Sequence, residues 1–363
     1  MTQDSKTGNM ALSSDEHPNM SKVTPISRRK KDHIQINLNE DVSSAITTGL
    51  EKIQLDHNAA PEIDFRKIDL TTSFLNHALK APLLISSMTG GTSEAQKINI
   101  RLAESAQARG IAMGLGSQRA ALEDPSGRMT YKIRSYAPDI LLFANLGAVQ
   151  LNYGCGLDDC SRIVDDVEAN ALFLHFNPLQ EALQPEGNTN FENLLPKIEE
   201  VCRQLPVHVI AKEVGWGISA SVAKRLVDVG IAAIDVSGAG GTSWSQVEMH
   251  RAKTEGQRKV ASTFASWGIP TARAILDIRE LLPEIPLIAS GGLKSGLDIS
   301  KCIALGADIG GMAGPFLQRA VDSTEAVIEF IDLTLEEIQI CMFATGSPDL
   351  QTLRKARLVY SSE

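Results

Sequence analysis

The feature that most constrains the fold of this chain is a regular alternation, from Ala81 onward, of short apolar segments with amphipathic helical segments. Eight segments have the composition of buried strands, at 82–86, 111–113, 140–144, 171–176, 207–213, 233–237, 286–290 and 308–312. Helical patterns lie between most of them, at 93–109, 157–167, 191–204, 219–230, 271–282 and 296–305, and a further one lies at 323–344. Alternating strands and helices pair in parallel through right-handed crossovers, and eight such units match a closed (β/α)8 barrel. The sequence therefore predicts an α/β chain with one TIM-barrel domain.

A doubly wound open sheet is the alternative architecture. Its dinucleotide-binding fingerprint needs three glycines after the first strand. The nearest match, Gly114-Leu115-Gly116-Ser117-Gln118-Arg119, has arginine where the third glycine belongs. This departure favours the barrel.

Composition narrows the classes of partner. The 363 residues carry 35 Lys and Arg against 44 Asp and Glu, a net charge of -9, so we expect no nucleic-acid and no membrane partner, and an anionic ligand would need a local basic pocket. The five cysteines are scattered and odd in number, which favours a reducing compartment without disulfides. No signal-peptide core and no run of eighteen apolar residues occur, so a cytoplasmic location is expected.

Three segments fall outside the alternation. Residues 1–26 are polar and poor in aromatics, which predicts a disordered tail before a barrel domain at 27–363. A cationic cluster follows at 28–33, either a solvated face or a clamp for an anion. The link at 238–268 is far longer than the others, and links of this length in compact domains are usually lids or disordered segments.

The end of the fourth predicted strand gathers the most reactive side chains. His175, Asn177, Gln180 and Glu181 follow an apolar run, and Pro178 stops strand pairing. Strand alternation places His175 and Asn177 on one face, and the turn after Pro178 brings the other two toward the same mouth. The alternative is an ordinary strand-to-helix connection with a capping Asn and a surface Glu.

Other strand ends favour a phosphate-bearing cofactor. Gly291-Gly292 and Gly310-Gly311 end the last two strands, where barrels commonly bind phosphate with backbone N–H groups, although tight turns explain a single pair. Lys212 lies in an apolar strand and needs an ionic partner, a carbonyl or an electron-rich ring such as a flavin. Neutral donors and acceptors on neighbouring strands suit the edge of an isoalloxazine ring, namely Thr89, Ser117, Asn145 and Thr242.

Several of these motifs together resemble the type II isopentenyl-diphosphate isomerases, which are FMN-dependent (β/α)8 enzymes. The resemblance covers about residues 27–314 and is carried by Arg29-Lys30-x-x-His33, Ser87-Met88-Thr89-Gly90-Gly91, Gly116-Ser117-Gln118-Arg119, His175-x-Asn177-Pro178-Leu179-Gln180-Glu181, Lys212-Glu213-Val214-Gly215 and Gly240-Gly241-Thr242-Ser243-Trp244.

The resemblance implies a role for each matching residue. Gln180 and His175 would be catalytic, and Glu181 would hold Mg²⁺. The substrate would contact Arg29, Lys30, His33, Ser117, Gln118, Arg119, Asn177 and Gln180. FMN would contact Ser87, Met88, Thr89, Ser117, Asn145, Lys212, Ser237, Thr242, Gly291, Gly292, Ala313 and Gly314. Arg is common in the family at the position of Lys294, and Lys cannot make its bidentate contact, so backbone groups are expected to hold the phosphate there.

The implied reaction interconverts isopentenyl diphosphate and dimethylallyl diphosphate by a 1,3-allylic proton shift, with reduced FMN as acid and base and NADPH as reductant. A homo-oligomer, tetramer or octamer, is also implied. Three alternatives remain: an FMN-dependent hydroxy-acid oxidase, a nucleotide dehydrogenase of the same barrel type, or a non-catalytic phosphate-binding barrel. The oxidases place a His base after strand six, where this chain has Ser237-Gly238-Ala239-Gly240, and the dehydrogenases need a Cys in that region, which has none between Cys202 and Cys302.

Overall fold

Eight parallel strands close into a barrel in this computed structural model, which describes residues 25–360 apart from the side chains of residues 25–28, 31, 125 and 126. We number the barrel strands β1 (Leu83–Ile85), β2 (Ala112–Gly114), β3 (Leu142–Gly147), β4 (Ala171–Phe176), β5 (His208–Glu213), β6 (Ala233–Asp235), β7 (Leu287–Ser290) and β8 (Ile309–Met312). Each strand pairs with the next, and β8 closes on β1 with Gly310 opposite Leu83. The predicted (β/α)8 barrel and all eight predicted strands are confirmed, with ends that differ by at most three residues.

Helices connect the strands and form the outer layer. They are α1 (Pro25–Asn39), α2 (Ser93–Arg109), α3 (Arg119–Glu123), α4 (Leu157–Val167), α5 (Pro178–Leu183), α6 (Leu194–Gln204), α7 (Ala220–Asp228), α8 (Trp244–Arg251), α9 (Glu255–Thr263), α10 (Thr271–Leu281), α11 (Gly296–Ala304), α12 (Gly314–Asp322), α13 (Thr324–Thr345) and α14 (Leu350–Leu353). Local signals set their ends: the Thr92 side chain caps α2 at Ala95 N, and Gly110 ends it in the left-handed conformation. The seven predicted helices correspond to α2, α4, α6, α7, α10, α11 and α13.

The link at 238–268 contains two helices, α8 and α9, so the alternative of a disordered segment is wrong. Thr254 and Gln257 form a capping box that starts α9. The helices were missed because α8 lacks an apolar stripe: its buried residues are Ser245, Val247 and Glu248. A helix that buries polar side chains shows no hydrophobic period in its sequence.

The core has two layers separated by the barrel wall. Inside the barrel, Leu84, Phe143, Phe173 and Ile210 pack together, and Phe143 and Phe173 have ring centroids 4.6 Å apart. The hairpin formed by strands Thr72–Phe74 and His77–Leu79 belongs to this inner cluster and closes the amino-terminal end of the barrel. Alternate strand residues point outward and pack under the helices. Apolar side chains fill the barrel interior, so we expect functional polar side chains at the carboxyl-terminal mouth of the barrel.

The segment before the barrel places α1 over this mouth. Ser44 N donates to Gly241 O and Ser243 N donates to Val42 O, both at 2.8 Å, so residues 42–44 run along the loop after β6. Further along, strand Ile53–Leu55 pairs antiparallel with Leu358–Tyr360. Most of the predicted tail, residues 1–24, lies outside the described residues, and its last two residues begin α1. None of the helices within residues 25–360 has the length and apolar content needed to cross a membrane.

Candidate active site

The turn after β4 brings three predicted site residues together. Pro178 starts α5, and one face of its first turn carries Gln180 and Glu181 back toward Asn177. The Asn177 amide Nδ2 donates to Gln180 Oε1 at 3.1 Å and to Glu181 Oε1 at 2.9 Å, and all three side chains are buried. Asn177 Oδ1 is buried and has no hydrogen-bond partner within the described residues. An unsatisfied buried amide oxygen is costly, so this atom is a candidate ligand contact.

His175 lies on β4, two residues before Asn177, and its ring is neutral. Its Nδ1 lies 2.8 Å from Asn145 Oδ1 on β3. Burial, followed by the charges of Lys212, Lys30 and Arg29, lowers the pKa of His175 to about 4. With the ring proton on Nδ1 facing the amide oxygen, Nε2 carries a lone pair. The geometry thus supports His175 as a hydrogen-bond acceptor rather than as an acid.

A buried glutamate that the sequence reading missed connects Gln180 to α1. Glu248 on α8 accepts from Gln180 Nε2 at 3.3 Å and from His33 Nε2 at 3.2 Å, and Arg251 lies 2.5 Å from its other oxygen. Burial alone would raise the pKa of Glu248, but the His33 hydrogen bond and the charges of His33 and Arg251 lower it overall. Glu248 therefore stays ionised and anchors the Gln180 amide. The sequence analysis did not identify Glu248 because it did not predict helix α8.

Cationic side chains surround the same cluster. Arg29 Nη1 donates to Gln184 Oε1 at 3.1 Å. Burial lowers the pKa of Arg29; Glu181 opposes this shift, and the nearby charges of Arg119 and Arg251 add to it. Arg251 is itself paired with Glu248 and Glu186, so Arg29 and Arg119 are the cations of this group that favour binding of an anion.

Lys30 lies deeper, at the exit of β2. Its Nζ donates to Ser117 O at 2.7 Å and to the Tyr131 hydroxyl, which itself donates to Ser117 O. Burial and the neighbouring Arg29 lower the pKa of Lys30 to about 7. Tyr131 was not identified from the sequence, because nothing in its local pattern distinguishes it from other core aromatics.

Glu181 and Arg119 meet at a further missed residue. Glu181 Oε2 accepts from Asn188 N at 2.5 Å, and Arg119 Nη1 donates to Asn188 Oδ1 at 2.7 Å. Gln118, predicted to contact the substrate, points the other way. Its side chain donates to Ile163 O and accepts from Asn145 N, both at 3.0 Å, and only 1% of the residue is exposed. The prediction of a substrate contact was wrong for this side chain. The turn after β2 directs Gln118 toward α4, so its amide joins β3 to α4.

Lys212 has the ionic partner expected for a lysine in an apolar strand. Its Nζ lies 3.0 Å from Asp235 Oδ2 on β6, and the Ser290 hydroxyl on β7 donates to Asp235 Oδ1 at 2.5 Å. Asp235 is completely buried. The pair places a fixed ammonium at the wall of the mouth. Asp235 escaped notice because it ends a three-residue strand of otherwise apolar character.

The predicted flavin residues fit FMN in three respects. The Ser87 hydroxyl is buried and has no hydrogen-bond partner within the described residues. Gly291 and Gly292 have positive φ angles of 100° and 77° and press against the backbone of Gly238 and Gly240, so no side chain fits there and the backbone itself faces the mouth. Added atoms at Gly314, the first residue of α12, would meet open space. Gly310 and Gly311, in contrast, lie within β8 and form no turn. The single glycine turn at Gly291-Gly292, beside the N-terminus of α12, is suited to a phosphate.

The other predicted flavin contacts lie on the same rim. Met88 and Thr242 are half-buried, Thr89 and Ser237 are buried, and Ala313 caps α12. Thr242 Oγ1 donates to Asn37 Oδ1 at 3.4 Å, which connects this rim to α1. The Lys294 side chain is exposed, which agrees with a phosphate contact made by backbone groups.

Glu181 is the candidate for holding Mg²⁺. Across residues 25–360, no three His, Cys, Asp or Glu side chains converge on a metal-binding position. Each Glu181 oxygen accepts one hydrogen bond and retains a lone pair. Mg²⁺ commonly binds through one or two carboxylates and completes its shell with substrate phosphate and water. The donor set at Glu181 fits that mode.

Fold and site together define a (β/α)8-barrel protein whose mouth carries a glycine turn suited to a phosphate and, apart from it, a group of cations suited to an anion. A mandelate oxidase structure with (S)-2-phenylpropionate has the same fold, with a TM-score of 0.66, 18% identity and coverage of 92% of this chain and 96% of that one. The pattern of the family described as FMN-dependent dehydrogenase matches residues 178–360.

Two curated relatives extend the match to nearly the whole chain. The isopentenyl-diphosphate delta-isomerase of Nostoc sp. is 55% identical over 338 residues, which are 93% of this chain and 97% of the relative. That of Rickettsia bellii is 54% identical over 331 residues, 91% and 97% of the two chains. The chain belongs to the isopentenyl-diphosphate delta-isomerase family, in its FMN-dependent form.

Proposed function

We propose that this protein interconverts isopentenyl diphosphate and dimethylallyl diphosphate, a step of isoprenoid precursor biosynthesis. Family membership supports the reaction. The observation that carries the assignment to this site is the pair of cations Arg29 and Arg119 near Glu181, adjacent to the Gln180 amide, with Arg251 paired to Glu248 and Glu186 beside them. A diphosphate needs several cations, and an alkene attached to it would lie beside Gln180.

The diphosphate is held by charge and by closure of α1. Arg29 and Lys30 reach down from α1, and Arg119 faces them from the exit of β2. Arg guanidinium groups bind phosphate oxygens in a bidentate manner, and Lys adds a point charge. Glu181 would hold Mg²⁺, whose charge would offset that of the diphosphate.

The proton shift leaves the substrate without net redox change. The terminal alkene carbon gains a proton, and the methylene on the other side of the central carbon loses one. Reduced FMN, when bound, supplies the proton donor and acceptor and an electron-rich face for positive charge. Gln180 orients the alkene or relays a proton, and ionised Glu248 holds its amide in place. Neutral His175 would offer its Nε2 lone pair as a hydrogen-bond acceptor to a bound ligand.

Lys212 would be one of the residues that hold the flavin, and its positive charge would stabilise electron density in a reduced ring. Ser87, Asn145 and Thr242 would bind its polar edge, and Gly291, Gly292, Ala313 and Gly314 its phosphate. NADPH would reduce the flavin before the first turnover. We further propose that the protein acts in the cytoplasm as a homo-oligomer.

A hydroxy-acid oxidase is the competing activity of this barrel type. It needs a base that removes a proton from the substrate carbon, and His does this work best near neutral pH. The loop after β6 reads Ser237-Gly238-Ala239-Gly240-Gly241-Thr242-Ser243 and contains no imidazole. The isomerase is therefore the better reading of the site.

Omission of single components tests the proposal. The purified protein is incubated with isopentenyl diphosphate, FMN, NADPH and Mg²⁺, and dimethylallyl diphosphate is followed by chromatography. We expect product with the full mixture and none without flavin, reductant or Mg²⁺. Product formation in a protein stripped of flavin would contradict the proposal, and so would oxidation of 2-hydroxy acids without any isomerisation.

Gln180→Asn tests the residue nearest the alkene. The shorter amide cannot reach both Asn177 and Glu248, so turnover should fall at least a hundredfold while the absorbance of bound FMN stays unchanged. Gln246→Asn, a polar change at a neighbouring helix position, is the matched control and should retain turnover. Full activity of the Gln180 variant would remove this residue from the mechanism.

A further inference from the structure

Asn188 occupies a turn that folds back onto α5. The preceding residue, Gly187, donates its N–H to Gln184 O at 3.1 Å. A Cβ atom at Gly187 would overlap the carbonyl oxygen of Glu181, so only glycine lets the chain approach this closely. The turn therefore brings Asn188 against the side chain of Glu181, seven residues earlier in the sequence.

The backbone and the side chain of Asn188 contact different functional groups. Its N–H donates to Glu181 Oε2 at 2.5 Å. Its Oδ1 accepts from Arg119 Nη1 at 2.7 Å and from the buried Gln150 Nε2 at 3.3 Å. One residue thus connects the proposed metal ligand with a proposed diphosphate ligand, which come from the exits of β4 and β2.

The chemistry of these contacts preserves both charges. An amide oxygen orients a guanidinium without neutralising it, so Arg119 keeps its charge for an anion. Glu181 receives neutral donors from Asn188 and Asn177, so its carboxylate keeps its charge for a cation. A carboxylate at Asn188 would instead compete with the substrate for Arg119.

Among the described residues, Arg119 has a second hydrogen-bonded partner, which is weaker and local. Glu123 accepts from Arg119 Nε at 2.7 Å across one turn of α3, but its side chain is 49% exposed. Exposed ion pairs at this spacing contribute little to orientation or stability. Asn188 is the contact that ties Arg119 to another part of the mouth.

We propose that Asn188 is a positioning residue that sets the relative placement of Glu181 and Arg119, so that Mg²⁺ and a diphosphate bind as one unit. The inference rests on the proposed function, since it takes Glu181 and Arg119 as ligands of the metal and of the anion. Asn188 itself need not touch the substrate.

Asn188→Ala removes the amide oxygen and keeps the backbone N–H. We expect the KM for isopentenyl diphosphate and the Mg²⁺ concentration for half-saturation each to rise about tenfold, equivalent to about 1.4 kcal/mol. The kcat with both saturating should stay within twofold. Calorimetric binding of inorganic pyrophosphate with Mg²⁺ to the FMN-loaded protein should weaken by the same factor, and FMN absorbance should not change.

A double-mutant cycle separates positioning from loosened packing. In an Arg119→Ala background, Asn188→Ala should raise the KM less than threefold further, because the side chain that it orients is gone. Glu123→Gln is the matched control and should change the KM less than twofold. An unchanged KM in Asn188→Ala, an undiminished effect in the Arg119→Ala background, or an equal rise in Glu123→Gln would overturn the inference. Absence of isomerase activity in the wild-type protein would instead contradict the proposed function.

Discussion

Asp235→Asn tests whether the charge pair in the barrel wall holds the mouth together. Lys212 and Asp235 are 6% and 0% exposed, and their charged atoms lie 3.0 Å apart. Asparagine has the same shape and can still accept a hydrogen bond from Ser290 Oγ. The substitution therefore removes the negative charge and leaves the Lys212 ammonium buried without a counter-charge.

The size of the effect follows from the geometry. At 3.0 Å and an effective dielectric constant of about 20, two unit charges interact by about 5 kcal/mol. Removing one member of a buried pair typically costs about 3–5 kcal/mol, because the remaining charge stays desolvated. We expect Asp235→Asn to lower the free energy of unfolding by about 3–5 kcal/mol.

Urea unfolding of the FMN-free protein, followed by tryptophan fluorescence and circular dichroism, measures this loss as a lower midpoint. Ser290→Ala removes only the hydroxyl partner and should cost about 1 kcal/mol. The double variant Lys212→Met with Asp235→Asn should recover most of the loss, because no unpaired charge remains. A midpoint equal to wild type in Asp235→Asn, or a double variant as unstable as the single one, would refute the reasoning.

Three further predictions concern single ionisable groups. Glu181→Gln should raise the Mg²⁺ concentration for half-maximal turnover at least tenfold, and an unchanged metal titration would argue against its role as a ligand. The folded pKa of His175 is about 4, below its ordinary 6.5, so the folded state binds fewer protons at this group than the unfolded chain between these values. The His175 contribution to stability should therefore rise with pH from 4 to 6.5, and in urea titrations the loss of stability in His175→Gln relative to wild type should grow as pH rises across this window; a loss independent of pH would contradict the assignment. Burial raises the pKa of Glu213 from 4.5 to about 7 against three opposing backbone N–H donors, so the Glu213 contribution should fall as pH rises from 4.5 to 7; the free energy of unfolding of wild type relative to Glu213→Gln should fall across that window, and a constant difference would contradict the assignment.

The sequence predicted well those parts of the site that lie within one turn of a strand end. Asn177, Gln180 and Glu181 fall within five residues, so Pro178 and one helical turn suffice to bring them together. The position of Lys212 in an apolar strand predicted an ionic partner, but the sequence did not identify Asp235 as that partner. Gly291 and Gly292 marked a turn because few other residues adopt such φ angles.

Contacts between distant parts of the chain lay beyond sequence reasoning. Glu248 meets Gln180 across 68 residues, and Asp235 meets Lys212 because β5 and β6 are neighbours in register. The side chain of Gln118 was misread, since the motif that contains it does not show which way a turn directs each residue.

Strand composition and helix periodicity are local properties, and by themselves they determined the eight-unit barrel and the end of it that carries the chemistry. The tertiary structure alone decided which charges face one another at the mouth: Asp235 opposite Lys212, Glu248 beneath Gln180, and Asn188 between Glu181 and Arg119. Closure of the barrel gathers eight strand ends around one mouth, and the pairing of side chains there depends on strand order, stagger and loop path, which no single segment of the sequence encodes.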